Sequence, residues 1–320
     1  MIERVILAKP RGFCAGVARS INVVEECLRI FGAPVYVKHA IVHNKTVVAD
    51  LEGKGAVTVE SVEEIPEGSV AVFSAHGSPP DDFEKARERN LTLIDATCPL
   101  VTKVHIEIMR FIRGGFDIVY VGHRGHIEGK GVIGEAKKRG VNVPLIDSIA
   151  DVEKLSLGEG ARVAILTQTT LSVDETREII AEIKKKYPQA IEPPAKDICY
   201  ATTNRQLAIK ELAKKAEVIF VVGSCTSSNS NRLVQVAKKA GTPAWLIDDQ
   251  KEIKDEWLEG KKVVGLSAGA SAPEKKVQEI VEYFAKKGAK IEELETVKEK
   301  MTFTEPQELV KVKKEHLTKD

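Results

Sequence analysis

Nowhere in the chain do about 18 apolar residues run without interruption, the length a helix needs to cross a bilayer. The opening MIERVILAKPRGFC also lacks the basic stretch followed by an apolar one that marks an export signal. These absences predict a cytoplasmic protein with no membrane partner. No charge of one sign dominates either: 48 Lys and Arg face 47 Asp and Glu, a net charge of +1. The basic residues are scattered among acidic ones along helices, which argues against nucleic acid as a partner. Aromatic residues are only 5% of the chain while hydrophobic residues reach 43%, so the core must be aliphatic, as in α/β layers rather than an aromatic-rich sandwich. The five cysteines are an odd number without an export signal, and the expectation is reduced thiols that act as ligands or nucleophiles. They form neither the paired CxxC arms of a zinc ribbon nor the clustered run of a bacterial ferredoxin. No nicotinamide or flavin fingerprint is present.

What is present is an alternation. Short β-branched runs (Val5 to Ala8, Val35 to Val37, Val70 to Phe73, Leu91 to Ile94, Ile118 to Val121, Val163 to Leu166, Val218 to Val222, Trp245 to Ile247, Val263 to Leu266) predict buried parallel strands. Amphipathic stretches at Ala15 to Ile30, Asp174 to Lys186 and Gln206 to Lys215 predict helices between them. The fold class is therefore α/β. At 320 residues the chain predicts about two domains and permits three. We divide it into three similar parallel-sheet modules at 16–98, 99–195 and 196–285 with 1–15, followed by a charged extension at 286–320 expected to be an appended strand and a frayed end.

The chemically capable residues gather in the loops after these strands: KPRGFC, KHAIVHN, SAHGS, DATCP, GHRGHIEG, TQTT, GSCTSSNSN and SAGAS. Ligands bind beyond the carboxyl ends of parallel strands, so these loops predict one shared site. Cys14 and Cys98 sit in turns beside Gly12, Gly16 and Pro99, and Cys199 lies in the polar DICYATTNRQ. Cys27, beside Val24 on an apolar helix face, reads as core. Three thiolates would satisfy three irons of a cubane and leave the fourth open to a substrate oxygen. A zinc held by three cysteines and a histidine is equally compatible on residue chemistry alone.

His43, His76 and His126 come from separate loops beside small residues. With Ser227, Ser228, Asn229 and Ser271 they form a donor set suited to a phosphate or diphosphate at helix N-termini. The bland reading of the Ser/Asn run is a solvated loop with a helix cap. His39 and His123 adjoin the set as structural or outer-layer groups, and His105 and His316 carry no signal. Glu128 is the carboxylate embedded in these loops able to face a pocket, and the natural proton donor; its bland reading is a surface charge. Thr169 could orient a substrate hydroxyl or cap the following helix, a role for which Thr170 and Ser172 compete.

Taken together, PRGFCAGV at 10–17, IVHNKTVV at 41–48, FSAHG at 73–77, DATCPLVTKVH at 95–105, GHRGH at 122–126, TQTTLSVDET at 167–176, DICYATTNRQ at 197–206, SSNSNRL at 227–233 and SAGASAP at 267–273 closely resemble the 4-hydroxy-3-methylbut-2-enyl diphosphate reductases. The resemblance spans nearly the whole chain up to about residue 285. It implies a trilobal arrangement around a central [4Fe-4S] cluster bound by Cys14, Cys98 and Cys199, with zinc a minor alternative. It also implies an allylic diphosphate held by His43, His76, His126, Ser227, Asn229 and Ser271, with Ser228 beside them in sequence. Two electrons and two protons would remove the allylic hydroxyl as water, with Glu128 supplying protons through the substrate's own hydroxyl and diphosphate, and Thr169 holding that hydroxyl. The electron donor would be an external ferredoxin or flavodoxin. The loop after His126, IEGKGVIG, departs from the family's common proline and valine–glutamate pair but keeps Glu128. Cys225 is no family ligand and is expected to be dispensable.

Overall fold

The β-branched runs fall on strands because aliphatic side chains bury most of them on both faces, and the amphipathic stretches fall on helices that bury one face. In this computed structural model, which describes residues 2–317, the order begins β1 (Arg4–Lys9), α1 (Ala15–Phe31), β2 (Val35–Lys38), α2 (Lys45–Gly53), β3 (Ala56–Val59), β4 (Val70–Phe73), α3 (Pro80–Glu88), β5 (Thr92–Asp95), α4 (Pro99–Arg113), β6 (Asp117–Val121), α5 (Ile127–Lys137) and β7 (Leu145–Ile146). It continues α6 (Ile149–Lys154), β8 (Val163–Thr167), α7 (Val173–Lys186), α8 (Tyr200–Ala213), β9 (Val218–Val222), α9 (Ser228–Lys239), β10 (Ala244–Ile247), β11 (Val263–Ala268), α10 (Glu274–Lys286), β12 (Lys290–Glu295) and α11 (Gln307–Leu317). All pairings between these strands are parallel. No described helix is long and apolar enough to cross a membrane.

The chain divides into two compact units. One comprises Met1–Val17, His43–Val47 and Tyr200–Thr302. Its sheet runs β10-β9-β11-β1-β12, so the N-terminal strand lies between two strands from the far end of the sequence. Successive side chains of a strand point to opposite faces. Val5, Leu7, Val218, Phe220 and Val222 enter one core with α10, while Ile6, Ala8, Ile219 and Val221 enter another with α8 and α9. Gly265 lets α8 press on the sheet: a Cβ there would lie 2.8 Å from Leu212 and 2.9 Å from Ala216.

The other unit comprises Ala18–Val42, Val48–Cys199 and Phe303–Asp320. It holds two sheets, β3-β2-β4-β5 and β7-β6-β8. Val119, Val121 and Ile165 pack on one side of the second, and Ile118, Tyr120, Ala164 and Leu166 on the other. The two-residue β7 and the AVTV strand β3 carry too little pattern to be marked in the sequence.

The segment after Lys286 corrects an expectation. Its strand is present as β12, in register with β1 from Arg4↔Lys290 to Lys9↔Glu295. Beyond it, up to residue 317, the described residues are ordered into structure: α11 forms and Leu309 is fully buried. Arg19 donates to the Thr304 carbonyl at 2.7 Å, and Lys313 pairs with Glu26 at 2.8 Å. Residues 318–320 of the expected frayed end lie outside the described residues.

Candidate active site

Parallel strands bring their carboxyl ends to one edge of a sheet, and every predicted site residue follows such an end or opens a helix. In the first unit, the loops after β1, β9 and β11 share this edge. The Cys14 amide donates to the Ala270 carbonyl at 3.2 Å, and the Ala270 amide donates to Asn229 Oδ1 at 2.9 Å. Ser271 Oγ donates to the His43 carbonyl at 2.9 Å. The SAGAS loop therefore draws Cys14, His43, Asn229 and Ser271 into one hydrogen-bonded web. Asn229 Nδ2 is buried and meets no acceptor among the described residues, so this web retains an unused donor. Ser227 caps α9, its Oγ accepting from the Ser230 amide at 3.2 Å, while its own hydroxyl proton stays available. Ser228 is the first residue of that helix.

In the second unit, the Cys98 amide donates to the carbonyl of Ala75, the neighbour of His76, at 3.0 Å. His76 Nδ1 lies 3.1 Å from Ser74 Oγ, and its ring meets that of His126 edge-on, with centroids 6.3 Å apart. His126 caps α5: its Nδ1 accepts from the Glu128 amide at 3.2 Å, which puts the proton of a neutral ring on Nε2.

Glu128 is only 2% exposed, so it is not a surface charge. Thr169 holds both of its oxygens, the amide donating to Oε1 at 2.7 Å and Oγ1 donating to Oε2 at 2.9 Å. Burial raises the carboxyl to about 7; the Thr169 bonds oppose the shift, and the charge of Asp197 adds to it. Ser172, not Thr169, caps α7, accepting from the Glu175 amide at 3.3 Å. The Thr169 carbonyl accepts from the Cys199 amide at 3.1 Å, which ties this cysteine to the acid.

Sequence reasoning missed the supports beneath these groups. Asp197, two residues before Cys199, takes the Lys103 ammonium at 2.8 Å and the Thr167 amide at 2.9 Å. Burial raises its carboxyl, against the pull of Lys103. Gln168 accepts from the His123 amide at 3.0 Å. Tyr120 is wholly buried and its hydroxyl has no hydrogen-bond partner among the described residues; burial first, then the Glu128 charge, push that hydroxyl well up. Asp197 and Gln168 sit in quoted motifs, yet nothing in the pattern separates them from their polar neighbours.

The LytB protein family matches residues 5–285. This chain belongs to it. A relative from Ralstonia nicotianae named 4-hydroxy-3-methylbut-2-enyl diphosphate reductase is 50% identical over 306 residues, covering 95% of this LytB chain and 94% of its own. One of the same name from Streptomyces coelicolor is 50% identical over 311 residues, covering 96% and 90%. The solved E-1-hydroxy-2-methyl-but-2-enyl-4-diphosphate reductase of Plasmodium falciparum has a TM-score of 0.96 at 35% identity, covering 99% of this chain and 100% of its own. A second solved structure, of (E)-4-hydroxy-3-methyl-but-2-enyl diphosphate reductase, gives 0.64 at 31% identity, covering 89% and 100%.

The thiols of this LytB chain suit a thiolate-bound group. None of the five is in a disulfide, and Cys14, Cys98 and Cys199 are partly exposed and each immediately precedes a helix, α1, α4 and α8. The positive end of a helix favours an anionic sulfur. Cys27 is the contrast: it is buried, and desolvation pushes its thiol to about 12. Among the described residues no three His, Cys, Asp or Glu side chains converge at the spacing a single ion requires.

Proposed function

We propose that the chain reduces 4-hydroxy-3-methylbut-2-enyl diphosphate to isopentenyl and dimethylallyl diphosphate, the last step of the non-mevalonate isoprenoid pathway. The observation that carries this reading is a buried carboxyl whose two oxygens are both held by Thr169, on a chain of the LytB family. Cys14, Cys98 and Cys199 would hold one [4Fe-4S] cluster, a reading supported by three partly exposed cysteines, none in a disulfide, each directly before a helix. When bound, that cluster supplies electrons and a Lewis-acidic iron open to an oxygen ligand.

The chain's own residues supply the rest. His43, His76, His126, Ser227, Asn229 and Ser271, with Ser228 next in sequence, bind the diphosphate; the unused Asn229 donor supports this assignment. Binding energy from this remote anion orients the reacting end. Near neutral pH a carboxyl of pKa about 7 is protonated about half the time, so Glu128 can give a proton and regain one. Its protons reach the leaving hydroxyl through the substrate's own oxygens, and Thr169 Oγ1 holds that hydroxyl. Electrons come from an external ferredoxin or flavodoxin in the cytoplasm. The module boundaries 16–98, 99–195 and 196–285 with 1–15, plus the extension 286–320, belong to the same reading.

The test is anaerobic purification, iron and sulfide analysis, and a dithionite-driven assay with the allylic diphosphate. Brown protein that consumes reductant in proportion to product supports the reductase. Turnover without reductant would instead mean a hydro-lyase, and colourless protein that only binds phosphate would mean a zinc-stabilised binding protein.

A further inference from the structure

Arg205 is among the largest wholly buried side chains of the chain, and nothing in the mechanism above uses it. It lies on α8, and its guanidinium reaches back to the first cysteine loop. Nη2 donates to the Gly12 carbonyl at 2.7 Å and Nε to the same oxygen at 3.2 Å. Nη1 donates to the Ala201 carbonyl at 3.1 Å and to Glu299 Oε1 at 3.1 Å. Asn204 Nδ2 donates to the same Glu299 oxygen at 3.1 Å. Gly12 has a positive φ of 65°, and its amide donates to the Ala268 carbonyl at 3.3 Å, so Gly12, two residues before Cys14, is held through both its amide and its carbonyl. Tyr200, the first residue of α8, accepts from the Ala15 amide at 3.3 Å and grips the loop from beyond Cys14.

A guanidinium stays charged, and its planar fork can hold a carbonyl and a carboxylate together. Buried, it needs a counter-charge. Glu299 provides that charge from the segment after β12, outside the family match at 5–285. We infer that Arg205 and Glu299 are positioning residues for Cys14: the C-terminal segment closes a buried clamp that fixes the Gly12 carbonyl and so aims the first cysteine. The inference rests on the reading that Cys14 is a cluster ligand, and its test is chosen to separate the two.

The test uses the full chain in its metal-free form. Iodoacetamide alkylation is followed cysteine by cysteine through peptide mass spectrometry, in the wild type, in Glu299→Gln, and in Arg205→Met combined with Glu299→Gln. The double variant removes the buried charge and its partly buried partner together and leaves no unpaired ion to unfold the chain. The expected result is several-fold faster labelling of Cys14 in the double variant and a smaller acceleration in Glu299→Gln, with Cys98 and Cys225 unchanged. Iron bound per chain after anaerobic reconstitution falls in the same order. Cys14 labelling no faster than in the wild type overturns the inference. So does equal acceleration at every cysteine, the signature of a merely structural role. Should the double variant fail to fold, Glu299→Gln alone decides by the same criteria. A wild type that takes up no iron and sulfide would sink the cofactor reading, yet alkylation would still judge the clamp.

Discussion

Glu128 carries two effects that separate cleanly. For the proposed proton-donor role, Glu128→Gln is expected to keep diphosphate binding and lose about 100-fold or more in turnover, the usual scale for a positioned acid. Near wild-type turnover would refute the role. As a buried carboxyl whose folded pKa, about 7, exceeds its unfolded value near 4.5, it binds more protons in the folded than in the unfolded state between those two pH values. Its contribution to stability is thus full below pH 4.5 and lost as pH rises through 7. Glutamine does not titrate, so between pH 4.5 and 8 the stability of Glu128→Gln relative to wild type should rise by about 3 kcal/mol, read from urea melts at each pH. Cysteine chemistry is as selective. With its thiol near 12 and no exposure, Cys27 should resist iodoacetamide at pH 8 while exposed Cys225 labels, and Cys225→Ser should keep full iron content. The sequence marks Glu128 and the three cysteines because they are reactive types in strand-end loops. Asp197, Tyr120 and Arg205 escape notice because burial, not residue type, gives them their weight.

Elements were legible where their pattern is long. β4 and β9 fall on the residues the β-branched runs mark, since buried parallel strands are nearly continuous aliphatic runs. α11 was hidden because QELVKVKKEHL is mostly polar and only a narrow apolar stripe shows. That stripe matters: Leu309 is fully buried, and the helix packs beside β5, an edge strand of its sheet. Leu309→Ala should therefore cost about 2–5 kcal/mol, the range for truncating a buried leucine. A denaturation midpoint equal to wild type would show that the stripe is not core. The same element logic applies to the cysteines: α1, α4 and α8 each start directly after a proposed ligand cysteine, so one junction places both the thiol and the helix.

At the scale of the whole chain, the residues that define the family and the residues that hold the fold are not the same set. The family match stops at 285, yet β1 has a partner on one side only because β12 follows, and Arg205 has a counter-ion only because Glu299 follows. Periodicity along the sequence cannot reveal this, because strand order depends on pairings nearly three hundred residues apart, as between Arg4 and Lys290. Ending the chain after Lys286 would turn β1 into an edge strand, strand a buried guanidinium and remove Leu309. Loss of the counter-ion alone costs about 3–5 kcal/mol and loss of the leucine about 2–5 kcal/mol. Set against a total stability of about 5–15 kcal/mol, these losses leave little or nothing. The shortened chain should accumulate poorly or melt many degrees below the full chain, although it keeps every proposed ligand and substrate-binding residue. A shortened chain with the melting temperature and iron content of the full one would show that the terminal segment is dispensable.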